Sequence, residues 1–451
     1  MSKHSVRDHA LTILERVEQE GAYSHLLINH VLEEHDMDPK DRALLTELVY
    51  GTIKRSRTLD FYLQPFLKQP IQKMDNRIRI ILRLAAYQMV YLDRIPARAA
   101  IFEAVHLAKT HGRKGLSGLV NGVLRNLDRK GIPDVEKVKH PLEQLEIKTS
   151  HPRWILTLWE EGYGKGEAEN IARSHLETPL LTIRTQTLKI TRDDLMKKLE
   201  EEGFQVEKGN LAEEAILIQK GDPFSSKAYA QGLFTVQDES SMLVAHAANP
   251  KKGDKIADLC AAPGGKTTHM AEVGLDSAFI FAFDLYDQKV LNVKQQAMRL
   301  GLSSIQVAQM DARQASEELE EETFDVVLVD APCSGLGVIK RKPEIKEHMK
   351  QGTINEILTL QESILKEAAK LVKPGGRLVY STCTLNPAEN EKQLTAFLND
   401  QTEFAFDQTL FSRLPVHEGA VKKSAEGAVT ILPHMYQTDG FFIAAMQKET
   451  L

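Results

Sequence analysis

The chain has 451 residues, 42% of them apolar, which is enough for a large buried core and two or three domains. Its three cysteines exclude a disulfide-stabilised scaffold, and because no Cys-x-x-Cys pair occurs, the sequence predicts no metal site. No apolar run is long enough to span a bilayer and residues 1–4 do not begin a signal peptide, so we expect a cytoplasmic protein.

The net charge of −6 is divided unevenly along the chain. Residues 51–130 contain 16 Lys and Arg against 5 Asp and Glu, so this segment carries +11 and the remainder carries −17. Such a concentration of positive charge indicates a face that binds a polyanion. A set of solvated helix faces is the alternative that composition leaves open.

Apolar residues recur at helical spacing through the first 130 residues, and Pro96 stands where a helix would begin. The sequence therefore predicts an all-α basic module, in which we expect Arg77, Arg79 and Arg83 to contribute to the polyanion-binding face. Arg94 and Arg98 lie in or beside the same helices. The predicted helices lie within residues 11–32, 43–53, 78–92, 99–108 and 116–127.

Three motifs of this segment resemble the NusB-type RNA-binding helical domain. They are RALLTELVYG at residues 42–51, IPARAA at residues 95–100 and VNGVLR at residues 120–125. The resemblance covers residues 1–130 and implies that the helical module binds RNA. We draw the boundary of this NusB-like domain at residues 1–135.

Residues 136–235 are predicted to form a linker and a small α/β insert. Repeated prolines punctuate the linker. We expect Arg184 and Lys189 to lie at the surface, where solvation is typical and RNA contact is the alternative. The patterns predict a helix at residues 154–175, a strand at 180–184, a helix at 191–202 and a strand at 215–218.

From Gly253 onward, short apolar runs alternate with helical patterns, which predicts a doubly wound, mostly parallel α/β sheet in a domain of residues 236–451. The first strand runs into CAAPGGK at residues 260–266, where small residues let the backbone approach a ligand at a helix N-terminus. The end of this loop also matches a phosphate-binding P-loop. That motif requires glycine where this chain has Cys260, so we favour a different ligand.

Acidic residues end three later strands of the predicted sheet. Asp284 follows the second strand, Asp311 the third and Asp330 the fourth. Because the carboxyl ends of parallel strands open onto one crevice, we expect these acids to converge, with Asp284 placed to hold ribose hydroxyls. Each acid alone is also typical of a helix cap or a turn. Their common register favours a nucleoside cofactor.

Two cysteines also follow strands of this sheet. Cys333 lies in DAPCSG and Cys383 lies in STCT. We expect both thiols to meet over the same crevice, where they predict covalent chemistry. Buried packing is the alternative for each, and it is the more typical role of Cys260. The charged run at residues 340–344 is either solvated or in contact with phosphates.

The cofactor loop, the strand-end acids and both cysteine motifs resemble the RNA cytosine-C5 methyltransferases of the NOL/NOP/Sun family. The segment FTVQDESS at residues 234–241 is similar to that family's lead-in. The resemblance implies a class I, Rossmann-like methyltransferase that uses S-adenosyl-L-methionine. It assigns the nucleophile to Cys383, proton removal or product release to Cys333, base recognition to Asp330 and a catalytic role to Lys266. The cofactor contacts that it implies are Cys260, Ala261, Ala262, Pro263, Gly264, Gly265, Lys266, Asp284, Asp311 and Asp330.

The chemistry of these residue types agrees with that assignment. Carbon 5 of cytosine is a poor nucleophile until a thiolate adds to carbon 6, so the reaction requires a cysteine. A carboxylic group such as Asp330 is suited to pairing with the ring nitrogen and reading the exocyclic amine. Lys266 and a sulfonium would both favour a thiolate nearby.

Together with the NusB-like front, the resemblance implies small-subunit (16S) ribosomal RNA as substrate, no membrane partner, and a monomer without an obligate protein partner. A transfer-RNA cytosine-C5 methyltransferase would keep the same catalytic motifs. A noncatalytic RNA-binding or antitermination factor would share the helical domain. An amino-nitrogen methyltransferase would carry an Asn/Asp-Pro-Pro-Tyr loop where this chain has Asp-Ala-Pro-Cys.

Overall fold

The computed structural model describes residues 5–112, 115–416, 422–425 and 427–450. Residues 1–4, from which the sequence predicts no signal peptide, lie outside those ranges. The chain forms two compact units. The helical unit comprises Met1–Glu177 and Ile339–His348, and the sheet unit comprises Thr178–Val338 and Met349–Leu451. Among the described residues, no helix is both long and apolar enough to cross a membrane.

The helices between Val6 and Lys130 are amphipathic, and their apolar faces share one core, as the spacing of apolar residues predicts. The core includes the fully buried Leu45, Leu48, Ile78 and Leu82. In chain order the helices are α1 (Val6–Glu20), α2 (Ser24–Glu34), α3 (Pro39–Lys54), α4 (Ser56–Leu63), α5 (Asn76–Tyr91), α6 (Ala97–Thr110), α7 (Ser117–Lys130), α8 (Pro141–Thr149), α9 (Arg153–Tyr163) and α10 (Lys165–Ser174), with α17 (Ile345–His348) in the second stretch.

One predicted helical stretch, residues 11–32, is divided in two. α1 ends at Gly21, whose φ of 68° is left-handed, and α2 begins at Ser24. Glycine reaches this conformation without the steric cost that a Cβ brings, so it ends the helix. The apolar spacing continues across the break, which is why periodicity alone did not reveal it.

The segment Ile339–His348 is held in the helical unit by polar contacts. Glu344 accepts hydrogen bonds from the backbone N–H of Ser24 at 3.0 Å and from its hydroxyl at 2.9 Å. The buried Lys346 donates from Nζ to the carbonyl oxygen of Lys54 at 2.6 Å. These bonds satisfy groups that would otherwise be buried at a cost.

The charged run at residues 340–344 is partly internal. Lys340 is buried, and its Nζ lies 3.1 Å from a carboxylate oxygen of Glu177. A buried ammonium requires such a partner because its hydration is lost. The prediction of a solvated or phosphate-binding run is therefore wrong for Lys340.

The small α/β insert opens the sheet unit, where the strands predicted at 180–184 and 215–218 and the helix predicted at 191–202 are confirmed. The helix predicted at 154–175 lies instead in the helical unit and is divided at Gly164, whose φ of 89° separates α9 from α10. The elements of the insert are β1 (Leu181–Thr185), α11 (Arg192–Glu201), β2 (Gln205–Lys208), β3 (Ala215–Lys220), α12 (Lys227–Ala230) and β4 (Phe234–Val236). The strand β4 is only three residues long, so its pattern is too short to be recognised in the sequence. The four strands form an antiparallel sheet with strand order β2-β3-β1-β4.

A larger mixed sheet occupies the rest of the unit. Its strands are β5 (Lys255–Asp258), β6 (Phe279–Asp284), β7 (Ile305–Gln309), β8 (Phe324–Asp330), β9 (Val372–Thr382), β10 (Phe404–Phe406), β11 (Lys422–Ala425), β12 (Ala428–Ile431) and β13 (Phe441–Lys448). The accompanying helices are α13 (Glu239–Ala248), α14 (Gly265–Val273), α15 (Asp287–Leu300), α16 (Ala315–Glu318), α18 (Gln351–Leu371), α19 (Glu391–Asp400), α20 (Leu410–Arg413) and α21 (Pro433–Tyr436).

The strand order is β11-β12-β13-β9-β8-β5-β6-β7, with β10 paired to β13. Strands β5 to β9 pair in parallel, and β13 joins β9 antiparallel. The order reverses at β5, which lies between β6 and β8. Open α/β sheets form their ligand crevice at such a point, outside the carboxyl ends of the strands.

Candidate active site

A cavity of about 240 Å³ is lined by residues at these carboxyl ends. Its walls include residues 260–263, Gly265 and Lys266 of the loop after β5, together with Asp330 and Cys383. The adjacent Gly264 has a left-handed φ of 103°, and a Cβ there would lie 3.2 Å from the backbone of Val293. The loop therefore depends on glycine to approach its neighbours closely.

The cavity also receives Asp258, which sequence reasoning missed. Its Oδ2 accepts a hydrogen bond from Thr267 Oγ1 at 2.7 Å, whereas its buried Oδ1 has no hydrogen-bond partner among the described residues. Burial raises the pKa of Asp258 to about 7. A buried acceptor without a partner is costly, so this oxygen fits a ligand with a polar donor group. The rule that selected Asp284 at a strand end would also have selected Asp258.

Asp284 and Asp311 are placed differently from each other. Asp284 Oδ2 accepts the N–H of Ala262 at 3.2 Å and thereby connects β6 to the cofactor loop. The Asp311 carboxylate accepts hydrogen bonds from the backbone N–H and the guanidinium of Arg313, and these bonds lower the pKa of Asp311. Of the described residues, the walls of the cavity include neither acid. Their contact with a cofactor remains a prediction.

Asp330 and Lys266 form an ion pair at the cavity wall. Lys266 Nζ lies 2.7 Å from one oxygen of Asp330, and Ser381 Oγ donates to the other oxygen at 2.7 Å. Burial lowers the pKa of Lys266, but Asp330 and then the Cys383 sulfur raise it, and the net shift is upward. An ammonium is therefore maintained close to Cys383.

The sulfur atoms of Cys333 and Cys383 lie 3.4 Å apart. Of the two, Cys383 is the one that lines the cavity. The hydrogen bond with Cys383, together with burial, raises the pKa of Cys333 well above its ordinary value. Cys333 therefore holds its proton at neutral pH, while Cys383 faces the cavity near an ammonium.

The loop that carries Cys333 is fixed by the buried Glu389. This carboxylate accepts the N–H of Ser334 at 2.8 Å and also the Ser334 hydroxyl. Side-chain amides of Gln361 and Asn386 donate to it at 3.2 and 2.9 Å. A fully hydrogen-bonded buried carboxylate holds its neighbours in one arrangement, so Glu389 positions Cys333.

The loop after Cys383 depends on a close approach at Gly337. Its N–H donates to the carbonyl oxygen of Cys383 at 3.0 Å, and its own carbonyl accepts from Gly440 at 2.8 Å. A Cβ at Gly337 would lie 2.0 Å from the carbonyl oxygen of Gly440. This space excludes any side chain and keeps the backbone beside Cys383 in place.

Known protein families and relatives match this chain over nearly its whole length. The 16S rRNA methyltransferase RsmB/F family matches residues 245–447, the NusB family matches residues 4–129, and the RsmF/B-like ferredoxin-like domain matches residues 151–225. The probable ribosomal RNA small subunit methyltransferase B of Bacillus subtilis is 45% identical over 449 residues and covers 100% of both chains. The chain belongs to the ribosomal RNA small subunit methyltransferase B family. The Serratia proteamaculans member is 33% identical over 410 residues, 91% of each chain.

Solved structures of similar proteins share the fold of this chain. The protein PH0851 has a TM-score of 0.83 and 29% identity, with 99% of this chain and 100% of that chain covered. NSun6 from Pyrococcus horikoshii with SFG has a TM-score of 0.58 and 24% identity over 66% of this chain and 98% of its own, which is a likeness of fold. The predicted fold is confirmed: a NusB-like domain, an α/β insert and a Rossmann-like methyltransferase domain.

Arg184 is another residue that the sequence analysis placed wrongly. It is fully buried, and its guanidinium donates to the carbonyl oxygen of Gly265 at 2.7 Å and to Thr268 Oγ1 at 3.1 Å. It also pairs with Glu272 at 2.7 Å and contacts Gln237. The prediction of a surface residue is wrong because these partners, distant in sequence, replace water around the charge.

In the NusB-like domain, the three arginines predicted to face a polyanion are instead paired within the helical unit. Arg83 is only 14% exposed, and Arg79 is 17% exposed. Acids on other helices pair with all three charges, and the prediction of an exposed position is wrong for Arg79 and Arg83. Arg77 is exposed, and its contact with a polyanion remains a prediction. The pairs are Arg77 with Glu15, Arg79 with Glu18, and Arg83 with Glu18 and Asp60.

One group of side chains has the composition of a metal site. Ligand atoms of Glu214, His246 and His269 lie within 4.8 Å of one another. Both histidines place Nε2 at 2.9 Å from the same Glu214 oxygen, which is a hydrogen-bond distance. Burial lowers the pKa of His269 to about 4, so this imidazole is neutral and donates to the carboxylate. Hydrogen bonding accounts for the arrangement, which joins the small α/β insert to α13 and α14.

Proposed function

We propose that this rRNA methyltransferase modifies carbon 5 of a cytosine in small-subunit (16S) ribosomal RNA through a covalent adduct with Cys383. The proposal rests on one observation: the Cys383 and Cys333 sulfurs lie 3.4 Å apart beside a cavity that also contains Lys266 and Asp330. Methylation of a nitrogen or oxygen atom requires no thiol nucleophile, whereas carbon 5 of cytosine does.

Cys383 starts the reaction by forming a bond from its sulfur to carbon 6 of the base. Lys266 favours the required thiolate, because an ammonium near a sulfur stabilises the charged form. The electron pair displaced from the ring makes carbon 5 nucleophilic. Asp330 accepts a hydrogen bond from Lys266 Nζ at 2.7 Å and is suited to pair with the ring nitrogen or exocyclic amine.

S-adenosyl-L-methionine supplies an electrophilic methyl group when it is bound. The residues that would hold it are those of the loop at 260–266 and the strand-end acids Asp284, Asp311 and Asp330. The free oxygen of Asp258 supports this fit, because it offers a buried acceptor to a polar group of the cofactor. Small side chains in the loop leave the backbone accessible to a nucleoside.

Removal of the carbon-5 proton completes the reaction. After methyl transfer, this proton must leave before the bond between Cys383 and carbon 6 can break. The electrons of the carbon–hydrogen bond then restore the ring double bond, and Cys383 departs as a thiolate. Cys333 is placed to serve proton removal or product release, because its sulfur is 3.4 Å from the Cys383 sulfur. As the protonated thiol that its raised pKa indicates, it can donate its proton to the departing Cys383 sulfur.

We place this reaction in the cytoplasm and expect the protein to act as a monomer. All three cysteines are free. A free thiol at Cys383 is required for attack on the base, and a reducing compartment keeps such thiols unpaired. Gel filtration with light scattering would test the oligomeric state.

Methylation of transcribed 16S ribosomal RNA by the purified protein, with a labelled methyl donor, tests the function. We expect the label in 5-methylcytosine at one position, mapped by bisulfite sequencing. Label in transfer RNA alone would favour a transfer-RNA cytosine methyltransferase, and a nitrogen-methylated nucleoside would overturn carbon-5 chemistry. Binding of RNA with no methylation would favour a noncatalytic RNA-binding factor.

A further inference from the structure

The paired arginines of α5 leave open which surface of the helical unit contacts RNA, and α6 offers a different candidate. Arg98, Phe102, His106 and Lys109 are all exposed on this helix. Because each residue turns the helix by about 100°, these side chains lie in one stripe that covers less than a quarter of the helix circumference. The stripe runs about 16 Å along the axis, at about 1.5 Å per residue.

Phe102 is the unusual member of this stripe. It is 70% exposed, although a phenylalanine is normally buried for its large apolar area. The neighbouring residues on the inner side of α6, Ala100, Ile101 and Ala104, are buried in the core, so Phe102 is not required for the fold of the helix. An exposed ring that the fold does not use is available to a partner.

The charges around Phe102 indicate the chemistry of that partner. Among the described residues, Arg98 and Lys109 have no ion pair or side-chain hydrogen bond, in contrast to Arg77, which pairs with Glu15. The stripe contains no acid. A protein interface excludes charge from its centre and surrounds aromatic residues with apolar ones, which this surface does not do. Cations that flank an aromatic ring fit a strand of phosphates with bases that stack on the ring.

We propose that the α6 stripe, formed by Arg98, Phe102, His106 and Lys109, is a binding surface for single-stranded RNA, with Phe102 stacked on an unpaired base and the cations on phosphates. This inference rests on the proposed function, since it assigns an RNA contact to an RNA methyltransferase. Single-stranded rather than double-stranded RNA is specified because a paired base presents no free face for stacking.

Two single substitutions in the full-length protein test the stripe, and each has a matched control. Phe102→Ala is compared with Leu26→Ala, because Leu26 is also on the helical unit and 57% exposed. Arg98→Ala is compared with Arg77→Ala, which removes the same charge from an ion-paired position. Binding is measured by fluorescence anisotropy with a short labelled single-stranded RNA and with the same RNA annealed to its complement.

We expect Phe102→Ala to weaken binding of the single strand by about tenfold, the effect of losing one stacked base. Arg98→Ala should lower the slope of log affinity against log salt by about 0.7, the value for one phosphate contact on a single strand. Both controls should bind as wild type. Phe102→Ala, Arg98→Ala and Leu26→Ala should not change the melting temperature, whereas Arg77→Ala should lower it because the ion pair with Glu15 is lost. None of the variants should change the affinity for S-adenosyl-L-methionine.

Wild-type affinity in both Phe102→Ala and Arg98→Ala, with RNA methylation intact, would overturn the inference and leave the stripe to a protein partner. Equal losses for the single strand and the duplex would also overturn it, because stacking would then play no part. If Phe102→Ala loses RNA binding while the wild-type protein binds RNA but methylates no cytosine, the stripe stands and the proposed function fails.

Discussion

Cys333 and Cys383 have different surroundings although their sulfur atoms lie 3.4 Å apart. Cys383 lines the cavity, and its sulfur contributes to the raised pKa of Lys266. Cys333 belongs to a loop that Glu389 holds through Ser334. At the scale of single residues, this asymmetry supports the proposal that Cys383 attacks the base and Cys333 handles the proton.

We predict opposite behaviour for the two alanine variants. Cys383→Ala should be inactive and form no covalent complex with RNA, because no thiol reaches carbon 6. Cys333→Ala should add to the base, transfer the methyl group and then stall as a protein–RNA adduct. A denaturing gel with labelled RNA measures both outcomes. An adduct in Cys383→Ala that is missing from Cys333→Ala would reverse the assignment.

A second prediction at this scale concerns Asp284. Asp284→Ala should weaken the affinity for S-adenosyl-L-methionine by at least about tenfold, since a charge-assisted hydrogen bond contributes roughly 1.5 to 3 kcal/mol. Asp287→Ala, which removes an exposed carboxylate nearby, is the matched control. Isothermal titration calorimetry measures both. Unchanged affinity in Asp284→Ala would remove this acid from the cofactor site.

Among the elements, β1 of the small α/β insert supports the cofactor loop. Its Arg184 crosses to α14, where it donates to the carbonyl of Gly265 and pairs with Glu272. Glu214 of the same insert makes hydrogen bonds with His269, also on α14. The insert thus positions the helix that begins at the cofactor loop.

We predict that Arg184→Met lowers both the melting temperature and the affinity for S-adenosyl-L-methionine. Removing one partner of a buried ion pair costs about 3 to 5 kcal/mol, because Glu272 is left without its counterion. The double variant Arg184→Met, Glu272→Leu should regain most of the stability but not the cofactor affinity, since Gly265 still lacks its donor. Calorimetric titration together with thermal melting separates the two effects. Full recovery of cofactor affinity in the double variant would show a role limited to stability.

Sequence patterns predicted the helices and strands that are determined by residues close together in the chain. Short apolar runs identified β5, β6, β8 and β9, and the residues at their ends include Asp330 and Cys383. The break at Gly21 was missed because apolar spacing continues through it. Asp258 was available to the same rule as Asp284 and was passed over.

Contacts between distant segments were not predictable from these patterns. Arg184 and its partner Glu272 are 88 residues apart, and nothing near either residue marks the pair. Arg83 and Asp60 illustrate the same limit, since both lie in the segment 51–130, whose composition indicates only an excess of positive charge. Charge counting along a chain measures how many cations are present, whereas tertiary contacts decide how many remain available.

At the scale of the whole molecule, stability should depend on pH through a buried lysine. Burial lowers the pKa of Lys346 to about 7 from 10.5. Between these values the unfolded chain binds a proton that the folded chain does not, so the free energy of unfolding rises with pH. The same direction applies to Lys54, whose pKa burial lowers to about 8.

We predict that the stability of the wild-type protein increases relative to that of Lys346→Met as the pH rises from neutrality toward the unfolded pKa. The increase should be at most about 1.4 kcal/mol per pH unit, the value for one proton. Urea denaturation followed by circular dichroism over this range measures the difference between the two proteins. A difference that does not vary with pH would mean that Lys346 keeps its proton in the folded state.

The segment Ile339–His348 has a consequence for how the protein is made. A ribosome releases the amino-terminal helices first, but the last part of the helical unit emerges only after β5 to β8 have been synthesised. Until then, Ser24 and Lys54 lack the bonds that Glu344 and Lys346 provide. A nascent chain therefore carries an incomplete amino-terminal unit for most of its translation, and a fragment that ends at Glu177 would permanently resemble this intermediate.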